Sequence, residues 1–454
     1  MEENIADTPA LSPELPASDE RLGDIPLDVA HESQCPASIS EPAATELKNE
    51  NLELPRVLAA LSNQDFRYMW AGNFLSNVGT WMQNVALGWL VLELTNSAFW
   101  LGVVSFASAV PMLLFTLVGG VIADKVDKRK MLIRTQVVMM VSAFLLAGLT
   151  YTGRVTVTQI VLLAFATGVA SALSAPSHQA LVPQLVPKAQ LTNAVGLNSA
   201  QFNMSRVIGP TLGGFAMHFV GVAGNFFLNG LSFLAVIIAM NKIKVGGQTE
   251  AVEGGFWKRL AEGFRYVFGN PKTSVMVVLV CIGALLGVPY FSFMPLFARD
   301  VLGVGERGLG LLMAFSGLGA FCAAVTIAYL TRPRKRGRLV LASGSAFFLA
   351  IIGFSFSRHF LVSAALQFVS GYAMILMVAI INTRLQHLVD DEMRGRTMSI
   401  YAMAYLGLPP VGSFMVGSLS HVMNAPHAIA AMAGLGLVLF LCLFALRSDL
   451  RRLD

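Results

Sequence analysis

Gly119-Gly120-Val121-Ile122-Ala123-Asp124-Lys125-Val126-Asp127-Lys128-Arg129-Lys130 puts six charges into its last seven positions, between two long segments with almost no charge. A short, mostly basic connection between two apolar runs of membrane length is the mark of a cytoplasmic turn in a polytopic membrane protein. The fold then depends on how many more such runs the chain holds.

Working outward, apolar runs long enough to cross ~30 Å of hydrocarbon as helices fall at 69–93, 98–122, 131–152, 157–176, 196–219 and 222–241. Six more follow at 274–298, 307–330, 339–357, 361–383, 397–421 and 427–446. These predict an all-α membrane protein of twelve transmembrane helices in two six-helix pseudo-symmetric bundles. A membrane β-barrel is excluded, because its strands are runs of about ten residues that alternate apolar and polar. Composition agrees: 55% of the 454 residues are hydrophobic and 13% charged, against roughly 25% charged in soluble proteins.

The charges are unevenly spread. Residues 1–55 hold thirteen Asp/Glu against Arg21 and Lys48, with seven Pro and no apolar core of a signal peptide. This composition reads as a disordered acidic tail. With that tail in the cytoplasm, the inside connections carry 23 Lys/Arg and the outside ones only Arg154, Arg299, Arg307 and Arg358. Both termini are therefore expected inside. The basic body is explained by these loops and by anionic headgroups, so no nucleic-acid partner is needed. Cys35, Cys281, Cys322 and Cys442 show no metal-ligand spacing, and neither a disulfide nor a metal site is expected.

The domain reading is a tail over 1–55, an N-terminal bundle over 56–241, a cytoplasmic linker over 242–273, a C-terminal bundle over 274–446 and a short tail over 447–454. Within the linker, apolar residues at 256, 257, 260, 264, 267 and 268 stand opposite Lys258, Arg259, Glu262 and Arg265. That spacing predicts a short amphipathic helix suited to a membrane surface. The bundles also echo each other. Leu101-Gly102 matches Leu309-Gly310, and Pro210-Thr211-Leu212-Gly213 matches Pro409-Pro410-Val411-Gly412. Parallel repeats of this kind place a transporter's substrate site at their interface.

With these features in hand, the chain resembles the major facilitator superfamily. Gly120, Ile122, Ala123, Asp124, Lys125, Lys128 and Arg129 fall in place in that superfamily's loop 2–3 signature, with Asp127 where its second glycine stands. Gly209-Pro210-Thr211-Leu212-Gly213-Gly214 is similar to the core of the motif common in exporting antiporters, although Gln201 and Ser205 replace its upstream glycines. Gly79-Thr80-Trp81-Met82-Gln83, Gln179-Ala180-Leu181-Val182-Pro183, Arg206-Val207-Ile208-Gly209-Pro210 and Arg394-Gly395-Arg396 resemble the enterobactin-exporter-like branch, also called transmembrane secretion effectors. The likeness covers roughly 60–446. It implies export of a siderophore- or drug-like molecule by alternating access, coupled to protons, across a bacterial cytoplasmic membrane.

The resemblance makes Gly120, Asp124, Lys125, Lys128 and Arg129 one side of a gate whose other side is Arg394 and Arg396, just before span 11. Asp124 would latch the outward-facing state; a turn that only fixes topology is the alternative. Gly209, Pro210, Gly213 and Gly214 form the helix-packing motif. Arg206 is the one Lys or Arg deep in a span. On a lipid face it would cost at least ~2.5–3.5 kcal/mol, so it should face the interior. Ser199, Asn203 and Arg206 make one polar stripe at helical spacing. Arg206 is read either as a counter-ion for an anionic group or as a structural arginine. In span 1, Asn73, Asn77, Trp81 and Asn84 form a second stripe, lining a cavity or bonding a neighbouring helix. Tyr290, Tyr372 and Tyr405 are aromatic candidates for the cavity, with core packing the competing reading. Pro111, Pro289, Pro295, Pro409 and Pro410 are expected to bend spans 2, 7 and 11.

Two departures bear on coupling. Ala164 stands where the superfamily's helix 4 signature has arginine, and no Asp or Glu lies in a helix centre. Proton coupling therefore comes from the resemblance and not from a residue. No phosphate loop or catalytic constellation is present, so the chain reads as no enzyme and as needing no cofactor. Its partners are a small-molecule substrate, the lipid bilayer and protons, and it is read as a monomer. Uptake of a metabolite, or a membrane sensor or scaffold that does not transport, are the alternatives.

Overall fold

A computed structural model describes residues 56–125, 127–243, 256–329 and 336–447, without the side chains of 56, 57, 113, 116–125, 256–260, 328 and 336. The acidic tail, the C-terminal tail from 448 and the basic loop 331–335 lie outside the described residues. All the regular structure among those residues is helical. Nine segments are long and apolar enough to cross a membrane, by length and composition.

The chain opens with α1 (Gln64–Thr95), α2 (Ala98–Lys125), α3 (Lys128–Tyr151) and α4 (Val157–Leu181). Next, α5 (Leu191–Lys242) is 52 residues long and breaks at Gly221, whose φ of 70° and ψ of 178° lie outside helical space. A Cβ at Gly221 would meet nothing within 4 Å. Glycine is needed there for backbone conformation alone. The break falls between the two apolar runs read at 196–219 and 222–241, so α5 is two limbs. The amphipathic helix α6 (Phe256–Gly269) follows, one residue longer than its pattern.

After it, α7 (Pro271–Val301) is one apolar run with two π-turns, Gly283–Gly287 and Phe297–Val301, and a 3₁₀ stretch, Val288–Phe293. Pro289 and Pro295 sit among these irregular turns, because each lacks the N–H that the α-ladder requires. By contrast, Pro111, Pro409 and Pro410 lie inside α-helices with no assigned break. The remainder is α8 (Gly305–Tyr329), α9 (Arg336–Phe356), α10 (Phe360–Leu388), α11 (Asp391–Leu419) and α12 (Ala425–Leu446).

The N-terminal helices α1–α5 pack chiefly among themselves, as do α7–α12; α2 with α11 and α5 with α8 cross between the two sets. Small residues set the spacing at both crossings. A Cβ at Gly102 would lie 2.5 Å from the Ser413 carbonyl, and one at Gly214 would lie 2.4 Å from the Gly310 Cα. Backbones this close leave no room for a larger side chain, which is how membrane helices gain contact without a hydrophobic drive. Alongside them, Phe99 packs on Phe414 and on His421, and the Arg299 guanidinium donates to the Leu92 carbonyl at 2.7 Å. All these joints lie where α1, α7 and α11 end and α2 and α8 begin. Among the described residues, the two sets are thus fastened at one end of the bundle.

Candidate translocation site

One further joint lies midway along the helices. Arg206, in the first limb of α5, donates from Nη1 to the Tyr405 hydroxyl of α11 at 2.6 Å. Its Nη2 stands 3.9 Å from Met374 Sδ of α10, and its guanidinium carbon lies 5.7 Å from the Tyr405 ring centroid. A charge-assisted hydrogen bond contributes about 1.5–3 kcal/mol, and a cation over an aromatic face adds roughly 0.5–2 kcal/mol. Together these are of the size of the insertion cost of an arginine, so the residue is tolerated where it stands. Tyr401 stacks on Tyr405 with centroids 6.2 Å apart and planes 16° from parallel. Arg206 therefore faces the other set of helices, and its charge is met by a neutral hydroxyl and a π-face. With no carboxylate partner among the described residues, the cation is able to attract an anionic group.

The other candidates divide. Ser199 and Asn203 are both exposed, and the Asn203 amide bonds back to the Ser199 carbonyl of its own helix at 2.8 Å. In α1, Asn73 is 8% exposed and its amide meets His178 Nε2 of α4 at 2.5 Å. Asn77 is half-buried and Asn84 exposed, and neither side chain hydrogen-bonds a described residue. Trp81 is half-buried, and its Cβ is what a Cβ at Gly209 would strike, at 2.5 Å. Gly213 likewise faces Met82 of α1, while Gly214 faces Gly310 of α8. Pro210, between them, is buried within the same helix.

Tyr290 is buried among α7, α9 and α10: its hydroxyl donates to Gln367 Oε1 at 3.1 Å and lies 2.9 Å from Ser370 Oγ. Tyr372 is half-buried and donates to Thr326 Oγ1 of α8 at 3.3 Å. The structure thus brings Arg206 and Tyr405 together, while Tyr290 and Tyr372 bond within the C-terminal helices. Sequence reasoning missed Gln367, which is fully buried with its Nε2 bonding nothing. It also missed His178 and Met374. A polar side chain inside an apolar run, 361–383, was the available signal for Gln367.

At the opposite end of the bundle from the closed joints, Gly120, Asp124 and Lys125 have side chains outside the described residues. Lys128 is 3% exposed, and Arg129 donates to the Asn241 carbonyl at 2.9 Å. Arg394 pairs with Asp391 at 2.5 Å, three residues earlier on α11. Arg396 pairs with Glu262 of the linker helix α6 at 3.1 Å, and Tyr266 of the same helix donates to Asp390 at 3.0 Å. A Cβ at Gly263 would touch Ile400 and Arg396 at 3.1 and 3.3 Å, so α6 lies close along the start of α11.

Membrane-length helices in two sets, crossing through small residues, with an arginine between them, form the architecture of a polytopic membrane transporter. The chain belongs to the transmembrane secretion effector family, whose profile matches residues 56–454. It is 25% identical over 377 residues to a staphyloferrin A transporter of Staphylococcus aureus, covering 81% of this chain and 92% of that one. It is 23% identical to the multidrug efflux pump Tap of Mycolicibacterium fortuitum (84% and 94% covered) and 24% to an enterobactin exporter of Citrobacter koseri (85% and 92%). Among solved structures, it is similar to the nucleoside transporter NupG, with a TM-score of 0.67 at 13% identity over 84% of this chain and 98% of that one. A bacterial homologue of the lysosomal transporter Spinster, in an inward-facing and unoccupied conformation, matches with a TM-score of 0.65 at 12% identity (86% and 96% covered).

Proposed function

We propose that this protein is a secondary active exporter of a small organic molecule, siderophore-like or drug-like, driven by protons through alternating access. The observation that carries this reading is the Arg206–Tyr405 bond, which joins the two sets of helices halfway along their length. A charged contact there is where cargo would be bound and where its arrival could break a joint between the sets. Names of relatives that export enterobactin or expel drugs support the direction.

In this reading α1–α4, the two limbs of α5 and α7–α12 are the twelve spans, acting as a monomer of two six-helix bundles (56–241 and 274–446) tied by the linker 242–273. With both termini in the cytoplasm, the fastened end faces outward, and the conformation is the inward-facing one. Arg394 and Arg396, held here by Asp391 and Glu262, are the partners that Asp124 takes when the cytoplasmic end closes. Cargo enters beside Arg206 and the α1 stripe of Asn73, Asn77 and Asn84, with Tyr405 displaced from the guanidinium.

Everted membrane vesicles from a bacterial host test this. Given an inside-acid pH gradient, vesicles containing the protein should accumulate enterobactin, staphyloferrin A or ethidium above control vesicles, and collapse of the gradient should abolish the difference. No accumulation of any of the three, with the protein inserted at normal level, would contradict the exporter reading.

A further inference from the structure

Proton coupling needs a side chain that binds and releases a proton, and the spans hold no central carboxylate. His178 is half-buried in the last turns of α4, and its one hydrogen bond among the described residues is the 2.5 Å contact between Nε2 and the Asn73 amide. Several elements pack on α4: α1, α2, α3 and the turn 182–184. Their charged groups near this end are Asp65 and Arg67 on α1, Asp124 and Lys125 on α2, and Lys128, Arg129, Lys130 and Arg134 on α3. Of these, Asp65, Arg67, Arg129, Lys130 and Arg134 make no ion pair or hydrogen bond with the ring. Among the described residues, the ring's hydrogen-bond partner is this amide.

That neighbour suits a proton site for a simple reason. A neutral imidazole with its proton on Nδ1 presents a lone pair at Nε2, which the Asn73 NH₂ fills by donating to it. A protonated ring presents an N–H at the same position, which the Asn73 carbonyl accepts once the amide turns over by 180°. Asparagine can serve either charge state without moving the backbone. The step itself is one proton joining the Nε2 lone pair from water and leaving to water, with no other bond changed.

The site is also wired to Arg206 by adjacent residues. Phe74, next to Asn73, accepts a hydrogen bond through its carbonyl from Ser205 Oγ at 3.4 Å, and Ser205 is next to Arg206. Two turns further along α1, Trp81 packs on Gly209. A change at Asn73 is therefore felt on the helix that carries the cross-bundle bond.

We propose that His178, hydrogen-bonded to Asn73, is the proton-binding site that couples the gradient to the movement of the bundles. The conformation described here holds the neutral ring, and protonation favours the state opened at the outer end. This rests on the exporter reading above, and its test does not depend on knowing the cargo.

In a background without the four native cysteines, spin labels at Thr152 and Val422, two exposed positions on opposite bundles at the fastened end, report opening as a longer distance in lipid nanodiscs. Wild type should shift to the longer distance as pH falls from roughly 8 to about 4, a window that spans both an ordinary imidazole and one in a buried setting. H178N should lose that shift, and N73L should move its midpoint. As a check that needs no variant to fold, the imidazole resonances of His178 in labelled wild-type protein should titrate over the same range. A pH response retained in full by H178N, a wild type with no response, or a ring that stays neutral throughout would each overturn the assignment. Accumulation of the vesicle probes by wild type alongside any of these would remove the proton site and leave the exporter standing.

Discussion

Arg206 carries a formal charge in the middle of an apolar helix, held only by a tyrosine hydroxyl, a ring face and a thioether. Its environment sets an order of mutational effects. R206A removes the charge and should lower transport at least about tenfold, since the lost charge-assisted contact is of order 1.5–3 kcal/mol and 1.4 kcal/mol is one factor of ten. R206K keeps the charge but not the fork geometry and should recover only part of that activity. Y405F removes the hydroxyl alone and should do less harm than R206A; initial rates in vesicles at matched protein level would rank the three. Arg206 was legible because it is the lone basic residue deep in a span. Tyr405 was not separable from Tyr290 or Tyr372, because all three are aromatic residues at interior spacing, and only the crossing of α5 and α11 distinguishes them. Ser199 and Asn203 share helical spacing with Arg206, yet the structure leaves them exposed, a difference that spacing along one helix cannot reveal.

At the scale of elements, Gly221 and Gly214 make different demands. Gly221 has open space around it but a φ of 70°, so G221A strains the backbone without a clash. An alanine there should cost on the order of 1–3 kcal/mol and lower the melting temperature in detergent while leaving contacts between the bundles intact. Gly214 has ordinary helical angles but the Gly310 Cα stands 2.4 Å from where its Cβ would be. G214V should leave the melting temperature less affected and instead push α5 off α8. The label pair at Thr152 and Val422 would read this as a population at longer distance near neutral pH; no change there would contradict the close crossing. The amphipathic α6 and the two limbs of α5 followed from periodicity and run length. The proline reading succeeded only in α7, where the turns are π and 3₁₀; α2 and α11 run through their prolines, whose missing N–H costs less when the next turn absorbs it.

For the whole molecule, the proposed cycle gives Arg396 two partners in turn, Glu262 and then Asp124. Here Glu262 of the linker helix holds it, with both side chains more than a third exposed. A pair so exposed is worth roughly 0.2–1 kcal/mol, enough to bias an equilibrium between conformations and too little to lock it. E262Q should therefore shift the distance distribution toward the outward-open state by less than about fivefold. R396A removes both partners and should slow turnover more than E262Q does. The membrane class and the family could be read from charge placement and motif. The linker's grip on α11 could not, because Glu262 and Arg396 are far apart in sequence and meet only when α6 docks.

The most direct test of the central claim, that cargo moves through a site built on Arg206 between two alternating bundles, is gradient-driven accumulation of the three probes by everted vesicles containing wild type or R206A at equal, correctly inserted levels. The account predicts accumulation by wild type and near-background uptake by R206A. Equal uptake by the two would contradict it.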